Sequence, residues 1–244
     1  MEKSEWFETW FDTKYYHTLY KNRDNKEAER FIGNLISFLN IPQGSKVLDL
    51  ACGKGRHSLT LYTHGYNVLG VDLSQSSIEQ ASYFENEHLK FQVHDMRQLI
   101  PDKRFKGIFN LFTSFGYFDS VEDNLRVLIS IHEMLEDDGI LVIDFMNATK
   151  VVNTLVAEEV KVVDDITFNI TRKFDGNHIF KYIQFNAEGE EKKFMERVQA
   201  LRLNDFQKLL ESVGFAITET FGNFDLEPFN EQHSDRLIII AKKK

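Results

Sequence analysis

The stretch that decides the fold is Lys46-Val-Leu-Asp-Leu-Ala-Cys-Gly-Lys-Gly-Arg-His57. It opens with an aliphatic run typical of a buried parallel strand. A turn of small residues, Ala51–Gly55, follows, where a ligand can approach the backbone closely, and helical spacing resumes after it. A second aliphatic run, Asn67–Val71, ends in Asp72. This order of strand, glycine turn, helix, strand and acid predicts a βαβ nucleotide-binding unit with its ligand at the carboxyl ends of the strands.

Charge around the glycine turn indicates which nucleotide binds. The NAD fingerprint G-x-G-x-x-G requires a third glycine, and Ser58 stands at that position. Asp49 lies at the mouth of the first strand, where its carboxylate repels a pyrophosphate, although Lys54 and Arg56 weaken that repulsion. A carboxylate there suits a ligand with an ammonium group and a sulfonium centre, and Asp72 is placed to accept hydrogen bonds from ribose hydroxyls. These acids favour S-adenosylmethionine over NAD.

Four stretches together resemble the motifs of the class I S-adenosylmethionine-dependent methyltransferases. The first is the glycine turn above, and the others are G-Y-N-V-L-G-V-D-L-S from Gly65, F-Q-V-H-D-M-R from Phe91 and F-N-L-F-T-S-F-G-Y-F from Phe109. The resemblance covers residues 46 to about 146. It implies the cofactor S-adenosylmethionine, and it places Asp95 against the adenine amino group.

The N-terminal residues 5–20 are rich in aromatic side chains at helical spacing. One interpretation is a helix that packs on the core. The other is a lid, because a similar Y-x-x-x-Y-x-x-R stretch closes over the cofactor in the related enzymes that dimethylate amino groups on nucleotide-linked sugars. Tyr16, Tyr20 and Arg23 match that pattern, and Arg23 would then pair with the methionine carboxylate. The lid interpretation predicts that residues up to Arg23 become ordered when the cofactor binds.

Sixteen residues are predicted to bind the cofactor: Tyr16, Tyr20, Arg23, Asp49, Ala51, Cys52, Gly53, Gly55, Asp72, Leu73, Ser74, His94, Asp95, Met96, Leu111 and Phe112. Three more, Tyr117, Asp144 and Asn147, follow the fourth and fifth strands and are expected to face the substrate, with no catalytic residue singled out. Asp144 has a structural alternative, which is to cap the turn that follows it. No Cys/His cluster has metal-ligand spacing, so we expect no metal.

The pattern beyond the first unit predicts an α/β fold. We expect a seven-stranded, mostly parallel Rossmann-like sheet flanked by helices, with its last strand antiparallel. Residues 1–150 and 203–244 would form this cofactor-binding domain. Residues 151–202 alternate instead, with turn signals at 175–177 and 187–189, and predict an inserted antiparallel meander of three strands. The insert would cover the substrate or form a homodimer surface, and both roles are compatible.

Composition limits the partners. The 244 residues carry a net charge of −9, which argues against an electrostatic grip on nucleic acid. One cysteine excludes an internal disulfide and suits a reducing compartment, and neither a signal peptide nor a membrane-spanning run is seen. We therefore expect a cytoplasmic protein that contacts no membrane.

The predicted function is methyl transfer to a nitrogen or oxygen of a small molecule by in-line displacement. The alternatives are an RNA or protein methyltransferase with the same cofactor site, or a binding module without activity. Thr113-Ser-Phe-Gly116 follows the fourth strand where methylases of planar amide or base amines carry Asn-Pro-Pro-Tyr or Asp-Pro-Pro-Tyr. This difference favours a small-molecule acceptor.

Overall fold

The computed structural model describes residues 6–21 and 25–244. The helices are α1 Trp6–Trp10, α2 Lys14–Leu19, α3 Asn25–Leu39, α4 Arg56–Thr63, α5 Gln75–Ala81, α6 Val121–Met134, α7 Ala148–Asn153 and α8 Leu203–Ser212, with a 3-10 turn at Ser82–Phe84. The strands are β1 Lys46–Leu50, β2 Asn67–Asp72, β3 Leu89–Val93, β4 Phe105–Asn110, β5 Leu135–Met146, β6 Glu158–Val163, β7 Ile166–Phe174, β8 His178–Ala187, β9 Glu190–Gln199, β10 Phe215–Phe221 and β11 Arg236–Lys243.

Seven strands form the main sheet in the order β10-β11-β5-β4-β1-β2-β3. The pairs among β3, β2, β1, β4 and β5 are parallel, whereas β11 is antiparallel to both β5 and β10. Strand β1 is the central one of the five parallel strands, and its aliphatic residues, Val47, Leu48 and Leu50, are buried between helices on the two faces. The predicted α/β fold with an antiparallel last strand is confirmed.

The inserted sheet is larger than the sequence predicts, with four strands in the order β6-β7-β8-β9 rather than three. The additional strand, β6, pairs antiparallel with β7 through a tight turn at Asp164 and Asp165. Asp164 adopts a φ of 52°, a backbone conformation usually marked by glycine. The sequence does not predict β6 because this turn contains neither glycine nor proline.

The aromatic N-terminus forms two short helices rather than one. The first ends at Trp10, and Thr13 caps the second, since its side chain accepts a hydrogen bond from the Tyr16 amide. Their buried side chains pack on the inserted sheet, in a cluster of Trp10, Tyr15, Leu19, Val163, Phe168, Ile170, Ile183 and Phe185. The N-terminal helices therefore share their apolar core with the insert.

Two helices end early. Helix α6 stops at Met134, because Leu135 already pairs with Phe105 in the sheet. Helix α5 ends at Ala81, and the chain continues only as the 3-10 turn. In the parts of the chain that the structure describes, no helix is long and apolar enough to cross a membrane.

Two glycines give a matched test of the packing beneath the glycine turn. Gly55 has a φ of 78°, and a Cβ atom there would lie 2.6 Å from the Phe91 ring, whereas a Cβ at Gly33 in α3 would meet nothing within 4 Å. We expect Gly55→Ala to lower the free energy of unfolding by about 1–3 kcal/mol through strain and overlap. Gly33→Ala should raise it by about 0.5–1 kcal/mol, because alanine favours a helix. Urea denaturation measures both, and equal effects would contradict this account of Gly55.

Candidate functional site

A cavity of roughly 390 Å³ lies where β1, β2 and β4 end. Most of the residues predicted to bind a cofactor line it: Tyr16, Tyr20, Ala51, Cys52, Gly53, Asp72, Leu73, His94, Asp95, Met96, Leu111 and Phe112. Tyr117, predicted on the substrate side, lines it too. The sequence thus brings one continuous set of side chains to the carboxyl edge of the sheet.

The glycine turn enters the cavity with its backbone exposed to a ligand. Ala51, Gly53 and Gly55 have φ angles of 64°, 54° and 78°. The turn is tied to β2, since the Cys52 amide donates to the Val71 carbonyl at 2.9 Å. A Cβ atom built on Gly53 would meet nothing within 4 Å, so space for a ligand lies directly over this residue.

Asp72 joins two loops at the same edge of the sheet. Its Oδ2 accepts from the Gly53 amide at 2.8 Å, and its Oδ1 accepts from the Ser74 amide at 2.9 Å. Burial raises the pKa of the Asp72 carboxyl, although these backbone donors oppose the shift. A carboxylate offers about four acceptor positions, so both oxygens can still accept from ligand hydroxyls.

Asp49 lies beneath the glycine turn rather than in the cavity lining. Its carboxylate is 1% exposed and accepts a 2.5 Å hydrogen bond from the Ser58 hydroxyl. Burial raises the pKa of Asp49 to about 6, with the Ser58 bond acting against it. Ionisation of Asp49 is therefore unfavourable in the ligand-free protein. A cation bound nearby would reduce this cost.

Asp95, the acid that follows β3, is held in place by the side chain of Arg97. Arg97 donates from Nε and Nη2 to the Asp95 carboxylate, at 3.0 Å and 2.6 Å to Oδ2. Burial raises the pKa of Asp95, but the bonds from Arg97 outweigh it and the net shift is downward. His94 beside it contacts the Gln98 carbonyl through Nε2 at 2.9 Å. Asp95 is thus an ionised acceptor in a fixed position at the cavity.

Other predicted residues lie elsewhere. Gly55 packs under Phe91 instead of lining the cavity. Ser74 caps α5 by accepting from the Ser77 amide, and its hydroxyl donates to Asp12. Arg23 lies outside the described residues.

Asp144 and Asn147, expected to face the substrate, are also not in the cavity lining. Asp144 is 1% exposed, accepts from Arg236 Nε at 2.7 Å and accepts from the Phe112 amide at 2.8 Å. It thereby holds the turn at Phe112 and Thr113, whose φ angles are 64° and 59°. Asn147 caps α7 and donates to the carbonyls of residues 231 and 234. Both side chains support the shape of the site.

One side of the cavity is an aromatic wall made of Phe7, Phe11, Tyr16, Tyr20 and Tyr117. The Phe11 ring lies 4.8 Å from Tyr16 and 5.5 Å from Tyr117, centroid to centroid, and Tyr16 lies 4.9 Å from Tyr20. Burial raises the pKa values of Tyr20 and Tyr117, so both stay protonated at neutral pH. Four of the five rings come from the N-terminal helices.

Several lining residues were not among the predicted site: Phe7, Phe11, His17, Lys21, Lys54, Arg56, His57, Ser77, Ser114 and Phe118. His17 could have been found from its place one residue after Tyr16 in the aromatic segment. Burial lowers the pKa of His17 to about 4 and that of His57 to about 3. The His17 Nε2 atom is buried without a partner in the part of the chain that the structure describes. Both imidazoles are therefore neutral at physiological pH.

The lining fits S-adenosylmethionine. Asp72 has acceptor capacity for ribose hydroxyls, and the open space over Gly53 admits a ligand to the backbone. Lys54 and Arg56 bring positive charge to the lining, as a ligand carboxylate requires. Within residues 6–21 and 25–244, no three His, Cys, Asp or Glu side chains are grouped to hold a metal ion.

Comparisons with known proteins agree with this site. Residues 41–199 match a family model described as a methyltransferase domain. The chain is 29% identical over 242 residues to a glycine/sarcosine N-methyltransferase of Aphanothece halophytica, covering 91% of this chain and 83% of that protein.

Solved structures share the fold. An S-adenosylmethionine-dependent methyltransferase from Clostridium acetobutylicum ATCC 824 superposes with a TM-score of 0.80 at 20% identity, covering 94% of this chain and 96% of the other. CalS10 of Micromonospora echinaspora, an amino pentose methyltransferase solved with S-adenosylmethionine, superposes with a TM-score of 0.73 at 16% identity, covering 95% and 98%. The sequence-based resemblance is confirmed.

The buried acid gives a prediction about pH. The folded pKa of Asp49 is about 6, above the unfolded value near 3.9, so its ionisation destabilises the fold and stability falls as pH rises from about 4 to 6. At pH 7 the penalty amounts to at most about 3 kcal/mol. We expect Asp49→Asn, which can still accept from Ser58, to be more stable than the wild type at pH 7. The difference should shrink as pH approaches 4.

Urea denaturation of the ligand-free proteins at several pH values measures this difference. If the difference in stability between the wild type and Asp49→Asn is the same at pH 4 and at pH 7, ionisation of Asp49 does not destabilise the fold.

Proposed function

We propose that this chain, which belongs to the methyltransferase-domain family, transfers the methyl group of S-adenosylmethionine to a nitrogen of a small-molecule amine. The chain is an S-adenosylmethionine-dependent methyltransferase, as the family match and the fold indicate. The choice of nitrogen rests on the side chains that line the cavity.

The cofactor contacts are proposed from the lining. Asp72 would accept from the ribose hydroxyls, Ala51 to Gly53 would contact the ligand through backbone, and His94 to Met96 with Leu111 and Phe112 would surround the adenine. Tyr16, Tyr20, Arg23, Asp49, Gly55 and Ser74 stay predicted contacts. Bound there, S-adenosylmethionine supplies a methyl group on a sulfonium leaving group, so the protein has mainly to orient the acceptor and exclude water.

The observation that carries the nitrogen assignment concerns the carboxylates and histidines among the described lining residues, none of which is placed as an effective general base. The two lining carboxylates, Asp72 and Asp95, are engaged by backbone amides and by Arg97. The lining histidines have pKa values of about 4 and 3, which makes them weak bases. A hydroxyl acceptor must lose its proton to a base, whereas a neutral amine already has a free lone pair. The cavity is thus suited to an amine.

The names of two similar proteins support an amine acceptor. The Aphanothece protein is named for glycine and sarcosine, and CalS10 is described as an amino pentose methyltransferase. The first name states transfer to nitrogen, and the second names an acceptor that carries an amino group.

Three further expectations stay predictions: a cytoplasmic location, a homodimer, and the division into residues 1–150 with 203–244 and an insert of 151–202. The face of the insert turned away from the N-terminal helices exposes Val160, Val162 and Tyr182, which is compatible with a second copy binding there.

The test pairs each amine with its hydroxyl analogue. Purified protein is incubated with S-adenosylmethionine and either glycine or glycolate, or with a nucleotide-linked amino sugar or its hydroxyl counterpart. We expect S-adenosylhomocysteine to form with an amine and not with its analogue, at a rate that rises with pH as the amine loses its proton. Turnover of a hydroxyl compound in preference to its amine would contradict the proposal.

A further inference from the structure

One carboxylate of the insert binds both N-terminal helices. Glu196, on β9, accepts from the Trp10 indole Nε1 at 2.7 Å and from the Tyr20 hydroxyl at 2.9 Å. Lys181, on the neighbouring strand β8, lies 3.6 Å from the Glu196 carboxylate and donates to the Tyr20 hydroxyl at 2.5 Å. Both charged side chains are only 14% exposed. Glu196 and Lys181 thus form a partly buried charged pair on Tyr20, and neither of the two lines the cavity.

The two donors lie at the C-terminal ends of the two helices. Trp10 ends α1, and Tyr20 is the residue after α2. Because the Tyr20 hydroxyl both donates to Glu196 and accepts from Lys181, its contribution to the cavity is its ring rather than a free hydroxyl. The sequence predicts Tyr20 as a cofactor contact, and the structure gives its hydroxyl partners from the insert.

Glu196 differs from the other charged contacts between these helices and the insert. Lys14 pairs with Glu188 and Lys21 pairs with Asp164, but all four of those side chains are largely exposed. Exposed pairs contribute little to stability, whereas a hydrogen-bonded carboxylate shielded from water contributes more. The cluster at Glu196 is therefore the strongest polar contact of this set.

The contact extends to the aromatic wall through successive rings. Tyr20 contacts Tyr16, Tyr16 contacts Phe11, and Phe11 contacts Tyr117 at the cavity, with centroid distances of 4.9, 4.8 and 5.5 Å. Trp6 lies on the far side of this row, 5.3 Å from Tyr117. Moving Tyr20 would therefore disturb its contact with Tyr16 and, through Tyr16, the contacts of the next rings of the wall.

We propose that Glu196 is a positioning residue of this methyltransferase: its carboxylate fixes the N-terminal helices on the insert and so holds the aromatic wall of the cavity in place before any cofactor binds. The insert and the N-terminal helices then act as one body over the cofactor site. This assignment does not depend on whether the acceptor is a nitrogen or an oxygen.

The fluorescence of a single tryptophan can report on the packing of the aromatic wall. The chain's two tryptophans, Trp6 and Trp10, both lie in α1, so Trp10→Phe leaves Trp6 as the sole tryptophan, in contact with Phe11 and Tyr117 of the wall. In that background Glu196 still accepts from Tyr20. We compare Glu196, Glu196→Ala and Glu196→Gln by acrylamide quenching of Trp6 without ligand, and by calorimetric titration with S-adenosylhomocysteine. Circular dichroism confirms that each variant is folded.

We expect Glu196→Ala to increase quenching of Trp6 and to weaken S-adenosylhomocysteine binding about tenfold, the effect of losing hydrogen bonds to a shielded charge. Glu196→Gln keeps an acceptor oxygen but loses the charge, so its Trp6 quenching and its affinity should lie between those of Glu196 and Glu196→Ala. The control is Glu188→Ala, which removes an equally charged contact to α2 on the exposed surface and should change neither.

If Glu196→Ala matches Glu188→Ala in quenching and in affinity, Glu196 does not position the wall and the proposal is wrong. If Glu196→Ala does not fold, Glu196→Gln is judged alone. An intermediate increase in Trp6 quenching then supports the proposal, and values equal to those of Glu188→Ala overturn it.

Discussion

The carboxylate of Asp72 is the constraint on which the cofactor site depends. It accepts one backbone amide from the glycine turn after β1 and another from the turn before α5. Both turns follow parallel strands paired in register, Leu50 opposite Val71, so they reach the edge of the sheet side by side. One acid thus links two loops that the sheet alone would leave independent, and it still has lone pairs with which to accept from a ligand in the cavity.

A second buried carboxylate, that of Asp144, fixes a turn on another side of the site. Asp144 holds the turn at Phe112 and Thr113, where two consecutive non-glycine residues adopt positive φ angles. Such conformations cost about 1–3 kcal/mol each and persist only when their surroundings hold them. Arg236 compensates the buried charge of Asp144 and also donates to the Thr113 hydroxyl. Strained turns fixed by buried acids therefore shape two sides of the site, and the N-terminal helices and insert supply the aromatic wall.

The sequence was informative where the determinants are local. Residues 46–74 carry the strand, the glycine turn and the terminal acid within one short stretch, so the fold class and the cofactor followed from patterns and charge. The roles of Asp144 and Glu196 could not be read in this way. Their partners, Arg236 and Trp10, lie 92 and 186 residues away in the chain, and only the folded sheet brings them together. Strand β6 escaped prediction for a local reason, because an aspartate with positive φ replaced the expected glycine.

The central claim is that Asp72 both shapes the glycine turn and binds the ribose of S-adenosylmethionine. Calorimetric titration of the wild type and Asp72→Ala with S-adenosylhomocysteine tests it most directly. The account predicts that the variant binds more weakly by about 1–3 kcal/mol, because donors in the turn and the ligand lose their acceptor. Equal affinity in the two folded proteins would contradict it.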